Sequence, residues 1–271
     1  MLNDKPNYIY KFVPFNLNTL KSLIKNELWF GKPINLNDPF ECDFKLKFSG
    51  VLPNDNFLKK YYIEKLEIRD AIIERIARNK VNIDFFLEDI RSAILKSAID
   101  NVGICSFSKN YNDIKMWAHY ADSHKGICMV FDKDLLIGSL QNVKLEEVKY
   151  LNNLIEIEIV GFENDIQLSV PKIDDIVNLK NSCWEIEDEL RLFINFFNKN
   201  SRRLFPYNPK SLKGIIIGQK MESDDVATLY HLLKDNKDMF WAKSVKKLNS
   251  FNLDFVYTYP SIHSTYNYVT Y

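Results

Sequence analysis

The sequence predicts an α+β protein with a largely antiparallel sheet and a two-helix insertion, and three observations predict it. Short β-branched and aromatic segments, several alternating apolar and polar residues, are mixed with helical patterns in no regular strand–helix–strand order. Between about residues 53 and 100 the spacing becomes helical throughout, with charges on the opposite faces. At 271 residues, 46% hydrophobic and 27% charged, the chain is long enough to bury a sizeable core as one domain.

Taken in order, Tyr8-Ile9-Tyr10-Lys11-Phe12 reads as a short strand stopped by Pro14. A helix follows, with Asn18 or Thr19 as its cap and Leu20, Leu23 and Ile24 on one face. Leu28-Trp29-Phe30 is a second apolar segment that runs into a turn over residues 35–41. Two amphipathic helices joined near Asn79 to Asn82 form the insertion, whose expected work is packing. Val102 to Ser108 and Ile127 to Phe131 are buried strands, separated by a short helix that Asn112 or Asp113 can cap. Val143 to Tyr150 alternates as a further strand. Trp184 to Ile194 alternates too, with Ile186, Leu190, Leu192 and Ile194 on one parity and Glu185, Glu187, Glu189 and Arg191 on the other. Gly214 to Gly218 is a strand, Ser223 caps a helix, and Phe240 to Val245 and Phe251 to Tyr259 are terminal strands.

Several function classes fall away. Lys plus Arg equals Asp plus Glu, 36 each, so no global field draws the chain to nucleic acid or anionic lipid. The longest purely aliphatic run, Ile215-Ile216-Ile217, is far too short to span a bilayer, and Met1 to Lys5 lacks the apolar core of a signal peptide. The expected setting is the cytoplasm, without a membrane partner. Cys42, Cys105, Cys128 and Cys183 form no CxxC pair and are expected buried and reduced. No phosphate-gripping or dinucleotide glycine loop, no GxSxG elbow and no HExxH helix is present.

Three constellations carry the chemistry. On a strand, Glu187 and Glu189 share a face with Arg191, which is costly unless that face meets water, a ligand or a partner. Their mutual repulsion raises one carboxyl pKa and prepares an acid–base pair; the plainer reading is a solvated edge strand. The second is Met116 to Gly126, where His119, His124 and Lys125 can meet phosphate and Trp117 and Tyr120 offer flat rings, or are simply core. A five-residue histidine spacing does not suit a helical metal pair. Third, Asn37 and Asp38 before Pro39 make a polar turn that is also explained as an Asx-turn. Ser106 and Ser108 project from one face of the preceding strand.

Together, Tyr10-Lys11-Phe12, Leu36-Asn37-Asp38-Pro39-Phe40-Glu41, Met116-Trp117-Ala118-His119-Tyr120 with His124-Lys125-Gly126, and Trp184-x-x-Glu187-x-Glu189-x-Arg191 resemble a widespread bacterial family of unassigned function, over about residues 8 to 240. The order of parts is also similar to the ADP-ribosyltransferase superfamily. That resemblance implies a split antiparallel sheet holding NAD, as substrate, in a cleft. It implies Tyr10 and Lys11 as the first-strand grip, Ser106-Phe107-Ser108 as the Ser-x-Ser element and Glu187-Asp188-Glu189 as the catalytic carboxylates, with Trp117 or Tyr120 stacked on nicotinamide. Asn37, Asp38, His119, His124 and Arg191 complete the candidate ligand-binding set. Lys11 stands where Arg or His is usual, and Phe107 where Thr is. Breaking the nicotinamide–ribose bond builds oxocarbenium charge that Glu189 can stabilise, while Glu187 activates the acceptor. The habits of such families imply a bacterial toxin or phage-defence effector, a protein, nucleic-acid or water acceptor, and an antitoxin or activating partner. Two alternatives stay open: a metal-dependent nuclease using Asp38, Glu41, Glu187 and Glu189, and a non-catalytic module that binds a protein or nucleotide.

Overall fold

The computed structural model describes residues 7–51, 54, 56–57, 83–99, 101–168, 176–195 and 202–258. Chain order is β1 (Tyr8–Val13), α1 (Leu17–Lys25), β2 (Glu27–Trp29), β3 (Lys45–Gly50), α2 (Ile83–Ile99), β4 (Val102–Ser108), α3 (Ile114–Tyr120), β5 (Ile127–Asp132) and α4 (Lys133–Ser139). It continues through β6 (Lys144–Glu147), β7 (Lys149–Leu151), β8 (Glu156–Phe162), β9 (Asp165–Leu168), β10 (Leu179–Asn181) and β11 (Glu189–Asn195). It closes with β12 (Leu204–Pro206), β13 (Leu212–Ile217), α5 (Ser223–Leu233), β14 (Phe240–Lys246) and β15 (Leu253–Tyr257). The second insertion helix is α2, whose Phe86 and Ile90 are buried; the first falls outside the described residues.

Eight strands form the main sheet in the order β15-β14-β13-β5-β1-β4-β11-β6. Every neighbouring pair is antiparallel except β13 and β14, which need the α5 crossover to run parallel. The expectation of an α+β, mostly antiparallel architecture therefore holds.

One seam differs from the rest. Strand β1 pairs with β5 from Tyr8 opposite Asp132 to Val13 opposite Ile127, and β4 pairs with β11 along its whole length. Between β1 and β4 the register consists of Tyr10 opposite Ser108. Farther along β4, Ile104 exchanges both backbone hydrogen bonds with Gly31, each 2.8 Å, so a different segment takes the edge that β1 leaves. The two strands diverge, and Lys11 Nζ reaches across to donate to the Ser106 carbonyl at 3.1 Å.

Alternation along the strands assigns each face. Ile9, Met129, Phe107, Leu190, Leu192 and Ile215 pack with Leu23 of α1, Leu136 of α4 and Leu229 of α5. On the opposite face two hydrophobic clusters are separate. Tyr10, Phe12, Val130 and Ile216 pack under Met116 and Trp117 of α3, whereas Ile104 and Phe193 pack with Phe44, Ile157 and Val177. Ser106, Ser108, Glu189 and Arg191 occupy the polar stretch of β4 and β11 on this face.

Some local expectations need correction. Asn16 caps α1, accepting from the Thr19 backbone N–H at 3.0 Å, so the helix starts one residue before Asn18. Ser223 is the first residue of α5 rather than its cap. Asp113 does cap α3. Cys42, Cys105 and Cys128 are buried thiols, but Cys183 is exposed. No described helix is long and apolar enough to cross a membrane.

Helix α3, which carries Tyr120 to the seam, is held by an unusual connection to β5. Asp122, Ser123 and His124 all have left-handed φ, 45°, 53° and 72°, each costing roughly 1–2 kcal/mol for a residue with a Cβ. The turn survives because its backbone is tied down: Gly126 N–H donates to Ala121 O at 2.7 Å, and Lys220 N–H to His124 O at 2.9 Å. A Cβ on Gly126 would lie 2.3 Å from Val13 O and 3.0 Å from the Ala121 backbone. Gly126→Ala should lower stability by roughly 1–3 kcal/mol through overpacking against backbone. Urea unfolding checks this, and an unchanged midpoint would contradict it.

Candidate functional site

The centre of the polar stretch is Arg191, at 0% exposure. The effective penalty for burying such an ion is several kcal/mol unless hydrogen-bonded carboxylates surround it. Arg191 has two. Its Nε and Nη2 donate to the Glu189 oxygens at 2.8 and 3.1 Å. Its Nη1 and Nη2 donate to the two Glu41 oxygens, the Nη2 bond being 3.1 Å, and Nη1 also reaches the Val177 carbonyl. Each carboxylate meets the planar guanidinium fork as a bidentate pair.

Lys180, buried on β10, extends the cluster. Its Nζ donates to Glu189 Oε2 at 3.0 Å and to Glu187 Oε2. Glu187 Oε1 accepts from the Tyr120 hydroxyl, which accepts in turn from Asn37 Nδ2 at 2.6 Å. The Glu189 backbone N–H donates to the Tyr150 hydroxyl at 2.8 Å.

The anticipated continuous strand over Trp184 to Ile194 is corrected here. Ser182–Glu187 forms a tight helical turn, Asp188 is left-handed at φ 42°, and β11 begins only at Glu189. The Asn181 side chain accepts from the Cys183 N–H at 2.9 Å, a local bond that favours the turn over a sheet ladder. Glu187 and Glu189 are therefore not alternate residues of one strand, yet both converge on Lys180. Nor is β11 a solvated edge: it lies between β4 and β6.

Two cations face three carboxylates, so the fully ionised cluster carries one negative charge in excess. The glutamates respond differently. Burial pushes the Glu189 carboxyl upward, but Arg191 and then Lys180 outweigh it and hold the group well below its ordinary range; the Ser106 hydroxyl adds to that. Burial raises Glu187, with Lys180 and Tyr120 only partly offsetting it, and burial likewise raises Glu41 despite Arg191. Burial and the neighbouring Glu187 raise the Tyr120 hydroxyl. Glu189 is thus the permanent anion, and Glu187 and Glu41 are the carboxyls that can take up the excess charge as a proton, of which Glu187 lines a cavity at the β1–β4 seam.

A cavity of about 290 Å³ opens where β1 and β4 diverge. Its lining brings together Tyr10, Lys11, Asn37, Ser106, Ser108, Tyr120, Glu187 and Glu189 from the anticipated set, with Lys180 and Trp29 added. Lys180 carried no sequence signal, since Asn178-Leu179-Lys180-Asn181 has no pattern; the demand for it came from the glutamates it neutralises.

The others lie elsewhere. Arg191 is behind the wall, bonded to Glu189. Asp38 is buried in the Asx-turn, accepting from the Phe40 N–H at 2.9 Å. Trp117 is not a free ring for nicotinamide: it is fully buried, donates to Tyr111 O at 2.8 Å and stacks on His124 at 6.4 Å. His124 is half-buried against it, and burial and then Lys220 lower its pKa. His119 is exposed on α3 and does not line the cavity. Among the described residues no group of three His, Cys, Asp or Glu side chains is arranged to hold a metal ion.

A family described as protein of unknown function (DUF2971) matches residues 116–192. The match begins inside α3 and ends inside β11, so it contains Tyr120, Lys180, Glu187, Glu189 and Arg191 while Tyr10, Lys11, Asn37 and Ser106 lie outside it. No curated protein and no solved structure matches this chain.

The opposed glutamates predict opposite pH trends. Glu189, lowered on folding from 4.5, stabilises the protein above that value, and the contribution is lost as pH falls through the folded pKa. Glu187, raised from 4.5, contributes below that value and loses the contribution as pH rises through its folded pKa. Glu189→Gln should cost roughly 3–5 kcal/mol at neutral pH, because it takes from buried Arg191 one of its two bidentate carboxylates, and less in acid. Glu187→Gln should gain on the wild type as pH rises from 4.5 toward neutral. Urea unfolding across that range measures both, and parallel trends for the two variants would contradict the assignment.

Proposed function

We propose that this protein binds NAD in the cleft between β1 and β4 and cleaves its nicotinamide–ribose bond, passing ADP-ribose to an acceptor or to water. The observation that carries the reading is the cavity at the β1–β4 seam, where Tyr10 and Lys11, Ser106 and Ser108, and Glu187 and Glu189 come together. Those are the three elements that the superfamily resemblance implies, contributed by the first strand, a later strand and the turn before a still later one. The local divergence of the sheet supports the split that the resemblance calls for.

The chemistry suits the charges. As the C1′–N bond breaks, its electron pair goes to the pyridinium nitrogen, so nicotinamide leaves neutral and needs no proton. Positive charge develops on the ribose, and the ionised Glu189, fixed by Arg191 and Lys180, is a preorganised anion for it. An acceptor O–H then forms the new C1′–O bond and gives its proton to Glu187, whose raised pKa brings it nearer neutral pH. Tyr120 and Asn37 orient that carboxylate. A cavity of about 290 Å³ is small for a ligand site and matches the nicotinamide-ribose end of a dinucleotide better than the whole.

The nuclease alternative is less well supported, because Arg191 and Lys180 already occupy oxygens of Glu41, Glu187 and Glu189 that a metal would need.

Purified protein, with and without cell lysate, should release nicotinamide from NAD, and Glu187→Gln should slow release about 100-fold or more while remaining folded. Adenylate-labelled NAD separates transfer, with label in macromolecules, from hydrolysis. No release and no NAD-dependent thermal shift would contradict the reading.

A further inference from the structure

We propose that a second cavity, adjoining the first, is a subsite for the diphosphate and base of a nucleotide. The proposal deepens the NAD reading and takes the ligand's identity from it, but its observations are separate. The cavity is about 450 Å³ and is lined by Lys11, Lys21, Lys25, Asn18, Ser22 and Trp29. Lys11 and Trp29 also line the first cavity, so the two share a boundary at the seam.

The lining is built by one helix face. Asn18, Lys21, Ser22 and Lys25 follow the i, i+3, i+4, i+7 spacing of α1, with Thr19 also in the lining, while Leu23 on the other side is buried in the core. Lys21 and Lys25 are exposed and have no carboxylate partner among the described residues. Lysines four apart repel, a cost that a bound anion relieves. Lys25 also suits the helix C-terminus, but Lys21, a turn earlier, has no such reason to be there. The one carboxylate in the lining, Glu27, is paired with Arg202, so the cavity keeps its positive balance.

Trp29 supplies the other half of the chemistry. Its indole is 56% exposed although it stands on a strand between buried Leu28 and Phe30. A flat exposed ring beside three ammonium groups fits a nucleobase carrying phosphates. The two cavities suit different ends of one molecule: the ionised Glu189 of the first faces a cationic nicotinamide ring, and the lysines of the second face the pyrophosphate.

Calorimetric titration with ADP at low salt tests the subsite. Wild type and Glu187→Gln should bind ADP equally, Lys21→Glu/Lys25→Glu should weaken binding at least tenfold, and added salt should weaken the wild type. A Trp29→Ala variant, which leaves every charge in place, should also weaken it. Equal ADP affinity in the wild type and the lysine variant would overturn the proposal, as would no ADP binding at all. Binding of a short single-stranded oligonucleotide through these lysines, without ADP binding, would likewise overturn it. Lysine-dependent ADP binding in a protein that releases no nicotinamide would sink the NAD reading and keep the subsite. Nicotinamide release with an unchanged KM in the lysine variant would do the reverse.

Discussion

A buried guanidinium organises this molecule. Arg191 lies in the middle of β11 with no access to water, and its charge is tolerable only because the chain brings carboxylates to it. Glu41 comes from the loop after the Asp38-Pro39 turn, Glu189 from the start of the same strand, and the Val177 carbonyl from the segment before β10. One side chain thus pins together parts of the chain that are distant in sequence. Lys180, carried by the same segment as Val177, is then close enough to hold Glu187.

The cluster is built with more negative than positive charge, so its carboxylates do not all hold their charge equally well. Glu189 is held by both Arg191 and Lys180, whereas Glu187 shares its oxygens between Lys180 and the Tyr120 hydroxyl on the cavity side. The cavity exists because β1 parts from β4 while Gly31 pairs with Ile104. Structural charge pairs and an open seam are therefore neighbours. The scaffold keeps Glu187 and its partner Lys180 in the lining of the opening while Arg191 stays behind the wall.

Much of the secondary structure was legible because its signals are local. Short aromatic, β-branched and apolar runs located β1, β4 and β5, period-two alternation located most of β11, and Asp113 announced α3. The turn at Ser182–Glu187 was hidden because its residues alternate like a strand, and the decisive contacts are the Asn181 side-chain bond and the left-handed Asp188. The site was half legible. Two glutamates and an arginine on one parity signal a polar cluster, but its closing partner, Lys180, stands in a featureless stretch and is known only from tertiary contacts. Trp117 and His124 show the converse failure. An aromatic residue beside histidines suggests a ligand site, yet here Trp117 is a core residue and half-buried His124 stacks on it from the left-handed turn before β5.

The central claim is that the β1–β4 seam receives a nicotinamide ribose beside Glu187 and Glu189. A crystal structure of the Glu187→Gln protein soaked with NAD tests it most directly. The account predicts density for the nicotinamide ribose between Tyr10, Ser106 and residue 187, with C1′ facing the Glu189 carboxylate. An empty seam at saturating NAD, or a ligand bound elsewhere on the molecule, would contradict it.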